Sequence, residues 1–248
     1  MKEEKHKAEG PDIIGTALRD YQQGNYTEDI ITETSISEED ELPLPYLFRN
    51  YEEMPKTEQK ALQLAYGKVL DIGCGAGSHA LYLEKEKKFD VTAIDTSPGA
   101  VDVCKSRGLT RVFVQDIMQY HGAKFDTVLL LMNGLGICGK LAYIDNFLSH
   151  LKSLLNEGGQ ILLDSSDIIY MFDEDEDGGH WIPSSPEYYG EVEFRMKYKG
   201  MQSPGFPWLY ADYNTLQNAA VSNGLNCELV CQGEHYDYLA RLCNASLL

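Results

Sequence analysis

The chain has 248 residues, of which 43% are hydrophobic and 24% are charged, so it is long enough to bury a sizeable core as an ordinary globular protein. Its formal net charge is −18, and because residues 67–159 carry equal numbers of basic and acidic side chains, the excess acid lies on both flanks. Acidic flanks repel a phosphate polymer, so we expect no nucleic-acid partner. No apolar run approaches the length of a membrane span and the first ten residues are strongly charged, so we expect a cytoplasmic protein without membrane contact.

The segment 1–66 is predicted to form an N-terminal helical cap. Apolar spacing predicts one helix over 13–23 and a second over 55–66. Between them, the stretch "ETSISEEDELPLP" is rich in acid and proline, which favours an acidic linker.

From Lys68 onward, short apolar runs alternate with helical patterns. One of these helices has clear ends, because Ser97 is a suitable N-cap, Pro98 suits the first helical position and Gly108 suits the stop. The expected strands cover 68–73, 90–95, 111–116, 125–134 and 160–167, and the expected helices cover 78–88, 97–108 and 141–155.

Near-continuous apolar strands that alternate with helices imply a parallel sheet covered on both faces, which is a doubly wound α/β fold. In such folds ligands bind at the carboxyl ends of the strands. The residues at those ends are Asp71, Gly73, Asp95, Asp116, Asn133 and Asp164.

After the N-terminal segment, the chain is predicted to consist of a core, an insertion and a C-terminal strand pair. Residues 67–167 form the expected core, and residues 168–225 are an insertion that interrupts the strand rhythm. Within the insertion, strict alternation over 191–199 predicts an amphipathic, antiparallel strand, and 212–224 predicts a helix. Residues 226–248 are expected to complete the core with two strands joined by a glycine-containing turn.

The stretch "VLDIGCGAGSH" (69–79) is the most informative motif. A glycine-rich turn after a strand presents backbone N–H groups to a nucleotide, but the dinucleotide fingerprint requires a glycine where Ser78 stands. The run from Asp71 to Gly77 resembles the acidic-x-G-x-G-x-G motif of class I S-adenosylmethionine-dependent methyltransferases, residue for residue. The resemblance extends over 67–167 and to the final strand pair. It implies a seven-stranded, mostly parallel sheet with an antiparallel C-terminal hairpin.

The resemblance also implies S-adenosylmethionine as cofactor and a set of contacts to it. In that family an acid after the second strand binds the ribose, as Asp95 would here, and an acid after the third lies at the adenine, as Asp116 would with its neighbour Ile117. Asp71 would stabilise the cofactor's ammonium, and Met132 and Asn133 follow the fourth strand, where cofactor and substrate meet. The glycines that would let the backbone approach the methionine moiety are Gly73, Gly75 and Gly77.

Several of these residues have structural alternatives. Asp95 could cap the following helix, Asp116 could be a turn residue, and Asn133-Gly134 is a common turn pair. Cys74 lies in the turn but has no paired histidine or nucleophile-elbow context.

The acceptor side is less defined. The resemblance implies methyl transfer by in-line displacement, and an acidic rim rich in aromatic residues would suit a neutral or cationic small-molecule acceptor. The best candidate for a general base is His180, whereas His121 and His235 could equally be surface or core residues. Arg49 could pair with the cofactor's carboxylate, or it could form a surface ion pair with Glu52 or Glu53. The expected aromatic rim consists of Trp181, Tyr188, Tyr189, Phe206 and Trp208.

No metal site is expected. The six cysteines form no C-x-x-C pair, and although the run 173–179 matches the first half of an EF-hand loop, Ser184 stands where a bidentate Glu is required. The run is therefore interpreted as a solvated acidic loop. A nicotinamide oxidoreductase and a catalytically idle cofactor-binding module remain alternatives to a methyltransferase, and the oligomeric state is not indicated.

Overall fold

A computed structural model describes residues 10–173, 175, 177, 179–182 and 187–245 of the chain. The first of these segments begins with helix α1 (Ile13–Gln22), a β-hairpin of β1 (Ile30–Thr34) and β2 (Ser37–Leu42), the short helix α2 (Leu44–Leu47) and helix α3 (Lys56–Leu64). Both expected helices are present, but the expected acidic linker is wrong because most of it forms the hairpin.

The physical reason for this difference lies in the position of β2. Among the described strands it pairs with β1 alone, at the edge of a sheet, and its central residues Glu38, Glu39, Asp40 and Glu41 are exposed. Charged side chains protect an edge strand from pairing with other chains. In the sequence alone the same charges resemble those of a linker.

The core follows the predicted order of strands and helices. Helix α4 is short and continues into a π-helical turn at Tyr82–Glu86, and β7 begins earlier than expected, before Gly158. The elements are β3 (Lys68–Ile72), α4 (Ser78–Leu81), β4 (Asp90–Asp95), α5 (Pro98–Ser106), β5 (Val112–Val114), β6 (Phe125–Leu130), α6 (Ile144–Ser153) and β7 (Leu155–Ser166).

The insertion and the C-terminal part complete two sheets. Within the described residues, a seven-stranded sheet has the order β11-β12-β7-β6-β3-β4-β5, in which β3 to β7 are parallel and the last two strands are antiparallel. This confirms the predicted fold class. The remaining elements are β8 (Glu191–Tyr198), β9 (Met201–Gln202), β10 (Phe206–Leu209), α7 (Tyr213–Ser222), β11 (Leu225–Gln232) and β12 (Asp237–Asn244).

The second sheet joins two distant parts of the chain. Strand β8 of the insertion pairs with β1 of the N-terminal hairpin on one side and with β10 on the other, all antiparallel. The expected amphipathic strand is therefore confirmed, with Val192 and Tyr198 buried on one face. Strand β10 lies against the turn that follows β6, where a Cβ on Gly136 would come within 2.6 Å of the Trp208 indole.

One carboxylate bonds to the first turns of both helix α1 and helix α5 of the core. Asp12 accepts from Gly15 N at 3.0 Å at the start of α1, and also from Gly99 N at 2.9 Å and Ser97 Oγ at 2.7 Å at the start of α5. The two helices cross closely, because a Cβ on Gly99 would lie 2.4 Å from Gly15 Cα. The cap is therefore attached next to the end of β4.

The chain reverses direction beside β3. It runs outward through β4 and β5, then returns to β6 on the other side of β3. Ligands bind at such a switch point, outside the carboxyl ends of the strands. No helix in the part of the chain that the structure describes is long and apolar enough to cross a membrane.

Candidate cofactor site

The glycine turn lies directly after β3, at the switch point. Gly73, Gly75 and Gly77 all have positive φ, at 71°, 52° and 84°. At Gly77 the space is closed as well, because a Cβ would lie 2.8 Å from Cys104 Sγ. The turn therefore requires glycine for its conformation, as expected, and it leads into α4.

Asp95, at the end of β4, holds this turn. Its Oδ2 accepts from Gly75 N at 2.9 Å, and its Oδ1 accepts from Ser97 N at 2.8 Å. The N-cap of α5 is Ser97, whose Oγ accepts from Ala100 N. Burial raises the pKa of Asp95. Because each carboxylate oxygen can accept a second hydrogen bond, the side chain keeps capacity for the two hydroxyls of a ribose.

Asp116 and Ile117 follow β5, the next strand outward. Asp116 Oδ1 accepts from Met118 N at 2.8 Å and so caps the short helical turn that begins at Ile117. The Ile117 side chain is buried, and its carbonyl lies 2.7 Å from the Nε2 of His150 on α6. Asp116 therefore does make the contact expected of a turn residue. The adenine roles of Asp116 and Ile117 stay predictions.

Asp71 is buried inside the end of β3. Burial raises its pKa to about 6, and its Oδ2 has no hydrogen-bond partner in the protein. A buried carboxylate oxygen without a partner in the protein is costly, and a ligand that donates to it would offset that cost.

Arg49 is also buried, which corrects the surface alternative. Its Nη2 pairs with Glu58 on α3, rather than with Glu52 or Glu53, and its Nη1 donates to the Tyr46 carbonyl at 2.5 Å. Its guanidinium lies over the Tyr46 ring, 3.9 Å from the centroid. The Nε of Arg49 has no partner.

The free atoms of Arg49 and Asp71 fit an amino-acid group. Arg49 Nε and Asp71 Oδ2 are the buried side-chain nitrogen and oxygen atoms that lack a partner in the described part of the chain. One is a donor with positive charge and the other an acceptor. They complement the carboxylate and the ammonium of the methionyl group of S-adenosylmethionine, so the residues present fit this cofactor.

Met132 and Asn133 follow β6 in an unusual backbone conformation, with φ of 67° and 56°. Asp164 on β7 holds this turn, since its Oδ2 accepts from Met132 N at 2.9 Å and its Oδ1 accepts from Gly134 N at 2.8 Å. Two consecutive left-handed residues other than glycine are strained, and such strain persists only where the surroundings enforce it. Burial raises the pKa of Asp164 to about 6.

Asn133 connects the turn to the second sheet. Ser165 Oγ donates to Asn133 Oδ1 at 3.1 Å, and Asn133 Nδ2 donates to the Leu209 carbonyl of β10 at 3.3 Å. Asn133 therefore lies in a turn, as the structural alternative expected, and its side chain also makes specific contacts. The pocket roles of Met132 and Asn133 stay predictions.

His180 lies in the insertion. Its Nδ1 is 3.1 Å from the Phe172 carbonyl, within the same loop. The catalytic role of His180 stays a prediction. Of the expected acidic run, residues 174, 176 and 178 lie outside the described residues, as does Ser184. Among the described residues, no cluster of three or more His, Cys, Asp or Glu could hold a metal ion.

The sequence reasoning missed three residues of this site. Glu58 and His79 are buried beside Arg49, and Asp164 was placed at a strand end without a role. A weak signal for His79 was its position directly after the glycine motif. Glu58 gave no signal, because a glutamate in an amphipathic helix is normally exposed.

Comparisons with known proteins identify similar chains. Residues 69–159 match a family described as a methyltransferase domain. A crystal structure of an S-adenosylmethionine-dependent methyltransferase from Bacteroides fragilis, in complex with S-adenosylhomocysteine, is 43% identical, with 96% of this chain and 97% of that chain covered and a TM-score of 0.87.

Two more distant proteins were also found. A sugar N-methyltransferase from Streptoalloteichus is 17% identical, with 80% of this chain and 87% of that chain covered and a TM-score of 0.54, which supports the fold alone. A protein of Geobacillus sp. that carries the name of a methyltransferase is 28% identical over 103 residues, and the match spans 39% of this chain and 41% of that protein.

The fold and the glycine turn define a Rossmann-like enzyme. The chain belongs to the S-adenosylmethionine-dependent methyltransferases. S-adenosylmethionine is therefore the methyl donor, and the nicotinamide alternative is set aside.

Proposed function

We propose that this methyltransferase acts on a neutral or cationic small molecule, by in-line displacement. The observation that carries this proposal is the chemistry of the site's mouth, by which we mean Tyr46, Tyr170, Tyr236, Asp164 and Asp237. Burial raises the pKa of Tyr46, and the negative charges of Glu58, Asp164 and Asp237 add to this effect, against the opposing effect of Arg49.

Aromatic rings at the mouth also have free surface. Tyr170 and Tyr236 stack with ring centroids 4.8 Å apart, and they are 48% and 62% exposed. Electron-rich rings next to carboxylates attract cations and disfavour anions. The nearby cation Arg49 is already neutralised by Glu58. These features support an amine or an uncharged acceptor.

The bound cofactor supplies an activated methyl group on a sulfonium. In the transfer, the sulfur–methyl bond breaks as the bond from the acceptor atom to the methyl carbon forms, and the products are the methylated acceptor and S-adenosylhomocysteine. The enzyme's main contribution is alignment, which can be worth about 7–11 kcal/mol. We propose that Asp71 and Arg49 bind the methionyl group, Asp95 the ribose, and Asp116 with Ile117 the adenine, while Met132 and Asn133 border the transferred methyl.

An acceptor amine must lose a proton before or after transfer. His180 is the proposed base, and its loop carries the exposed Trp181. We expect His180→Ala to reduce turnover at least about 100-fold while leaving the affinity for S-adenosylhomocysteine unchanged, as for the loss of a general base. Unchanged turnover would reject the role.

The acceptor class can be tested with radiolabelled S-adenosylmethionine. Calorimetry first checks that S-adenosylhomocysteine binds and that NAD does not. A panel of amines, including amino sugars, is then compared with matched phosphorylated and carboxylated compounds. We expect transfer to amines or neutral compounds. Preferred transfer to the anions would contradict the proposal, and cofactor binding without transfer to any class would favour the idle module.

A further inference from the structure

Glu58 occupies an unusual place for a glutamate. It lies on α3 with 3% of its surface exposed, and it contacts two basic side chains at once. Its carboxylate pairs with Arg49 Nη2 on one side, and its Oε2 lies 2.7 Å from His79 Nε2 on the other. Burial alone would raise the pKa of Glu58, but His79 and Arg49 together hold that pKa below its ordinary value. The carboxylate is therefore a fixed anion between α3 and α4.

This arrangement restricts Arg49 to one orientation. Nη2 is held by Glu58 and Nη1 by the Tyr46 carbonyl, while the Tyr46 ring covers one face of the guanidinium. Of the three nitrogens, Nε is left as a buried donor without a partner. An arginine held at its far end loses little further rotamer freedom when a ligand binds to Nε.

His79 joins this group to the helix that follows the glycine turn. It is the second residue of α4, directly after the glycine turn, and 8% of its surface is exposed. His79 opposes the rise of the Asp71 pKa that burial causes. Through Glu58, His79 thus links Arg49 to the start of α4, directly after the glycine turn that follows Asp71.

We infer that Glu58, held by His79, is a positioning residue that presents Arg49 to the carboxylate of the cofactor's methionyl group. The inference rests on the proposed role of Arg49 and goes beyond it. Glu58 does not contact the cofactor, and it acts by fixing the guanidinium before the cofactor arrives. The N-terminal segment then contributes to recognition of the amino-acid end of the cofactor and not only to covering the site.

The test compares two ligands that differ only in the amino-acid end of the molecule. S-adenosylhomocysteine carries the amino-acid carboxylate and ammonium, whereas 5′-methylthioadenosine lacks both. For Glu58→Gln we expect the dissociation constant of S-adenosylhomocysteine, measured by calorimetry, to rise roughly tenfold, as for the loss of one well-placed interaction, and that of 5′-methylthioadenosine to change less than about twofold. Glu58→Asp, which keeps the charge, should recover part of the affinity.

Other outcomes overturn the inference. An equal loss for both ligands would show that Glu58 only supports the fold, and no loss for either would show that Arg49 needs no positioning. His79→Gln gives a second variant in case Glu58→Gln does not fold, and we expect the same ligand-selective loss. The exposed Glu52 is the matched control, since Glu52→Gln should change neither affinity.

Failure of the proposed role of Arg49 is distinguishable. If Arg49→Gln leaves the affinity for S-adenosylhomocysteine unchanged, that role itself is wrong, and the inference about Glu58 falls with it. If Arg49→Gln weakens binding selectively and Glu58→Gln does not, only the positioning by Glu58 is wrong.

Discussion

Some single residues at the site lower the stability of the ligand-free protein and are expected to favour ligand binding. Asp71 shows this most clearly, because its carboxylate is buried with one oxygen unpartnered and its pKa is raised by burial to about 6. In the ligand-free protein the ionised form therefore costs free energy. That cost is offset only when a ligand donates to the free oxygen.

We expect Asp71→Asn to separate these two effects. The amide removes the buried charge, so the free energy of unfolding of the ligand-free protein at pH 7 should rise by up to about 3 kcal/mol, which is the free energy that corresponds to a rise of pKa from 3.8 to about 6. The affinity for S-adenosylhomocysteine should fall, because the amide is a weaker acceptor for an ammonium. Urea unfolding and calorimetry measure the two quantities, and a variant that is both less stable and unchanged in affinity would contradict the expectation.

At the scale of elements, the close crossing of α1 and α5 sets the position of the N-terminal cap. Asp12 accepts hydrogen bonds at the first turns of both helices, and Gly15 faces Gly99 where they cross. A side chain at this crossing would force the helices apart next to Asp95. The crossing is therefore a sensitive point for both stability and ribose binding.

We expect Gly99→Ala to destabilise the protein by about 1–3 kcal/mol, the usual cost of inserting atoms into a packed site. The new Cβ would lie within 2.6 Å of three backbone atoms of Gly15, which cannot yield as a flexible side chain would. Thermal unfolding is the measurement. The control is Ser106→Ala, an exposed position on the same helix, which should change stability by less than about 0.5 kcal/mol.

The elements also show what the sequence could and could not predict. The strands around Leu70, Val128 and Leu163 were predictable because burial on both faces leaves a continuous apolar run. The hairpin of β1 and β2 was not, because its partner β8 lies more than 150 residues away and its own sequence is polar. The same limit applies to Glu58, whose burial depends on Arg49 and His79 rather than on its neighbours in α3.

At the scale of the whole molecule, charge makes stability depend on pH in an unusual direction. Asp71 and Asp164 both have a pKa of about 6 in the folded protein, above the ordinary 3.8. Between these values the folded state binds more protons than the unfolded state, so these two groups lower stability as the pH rises towards and through 6. Carboxylates with a lowered pKa, such as Glu58, act in the opposite direction only at more acidic pH.

The ligand-free protein should therefore be more stable at pH 5.5 than at pH 7.5. The measurement is urea unfolding in high salt, which screens the repulsion expected from a net charge of −18. Asp71→Asn should reduce the difference between the two pH values. A wild-type protein that is more stable at pH 7.5 under these conditions would show that the two buried acids do not dominate.

The second sheet has a consequence for how acceptor preference could change in this family. Strand β10 contacts the turn after β6 directly, and it is paired with β8, which in turn pairs with β1 of the N-terminal hairpin. If the insertion alone were exchanged with that of a relative, the relative's β8 would have to pair with the β1 of this chain, with which it did not evolve. Transplanting acceptor preference should therefore require moving residues 30–42 and 191–209 as one unit, although they are separate in the gene.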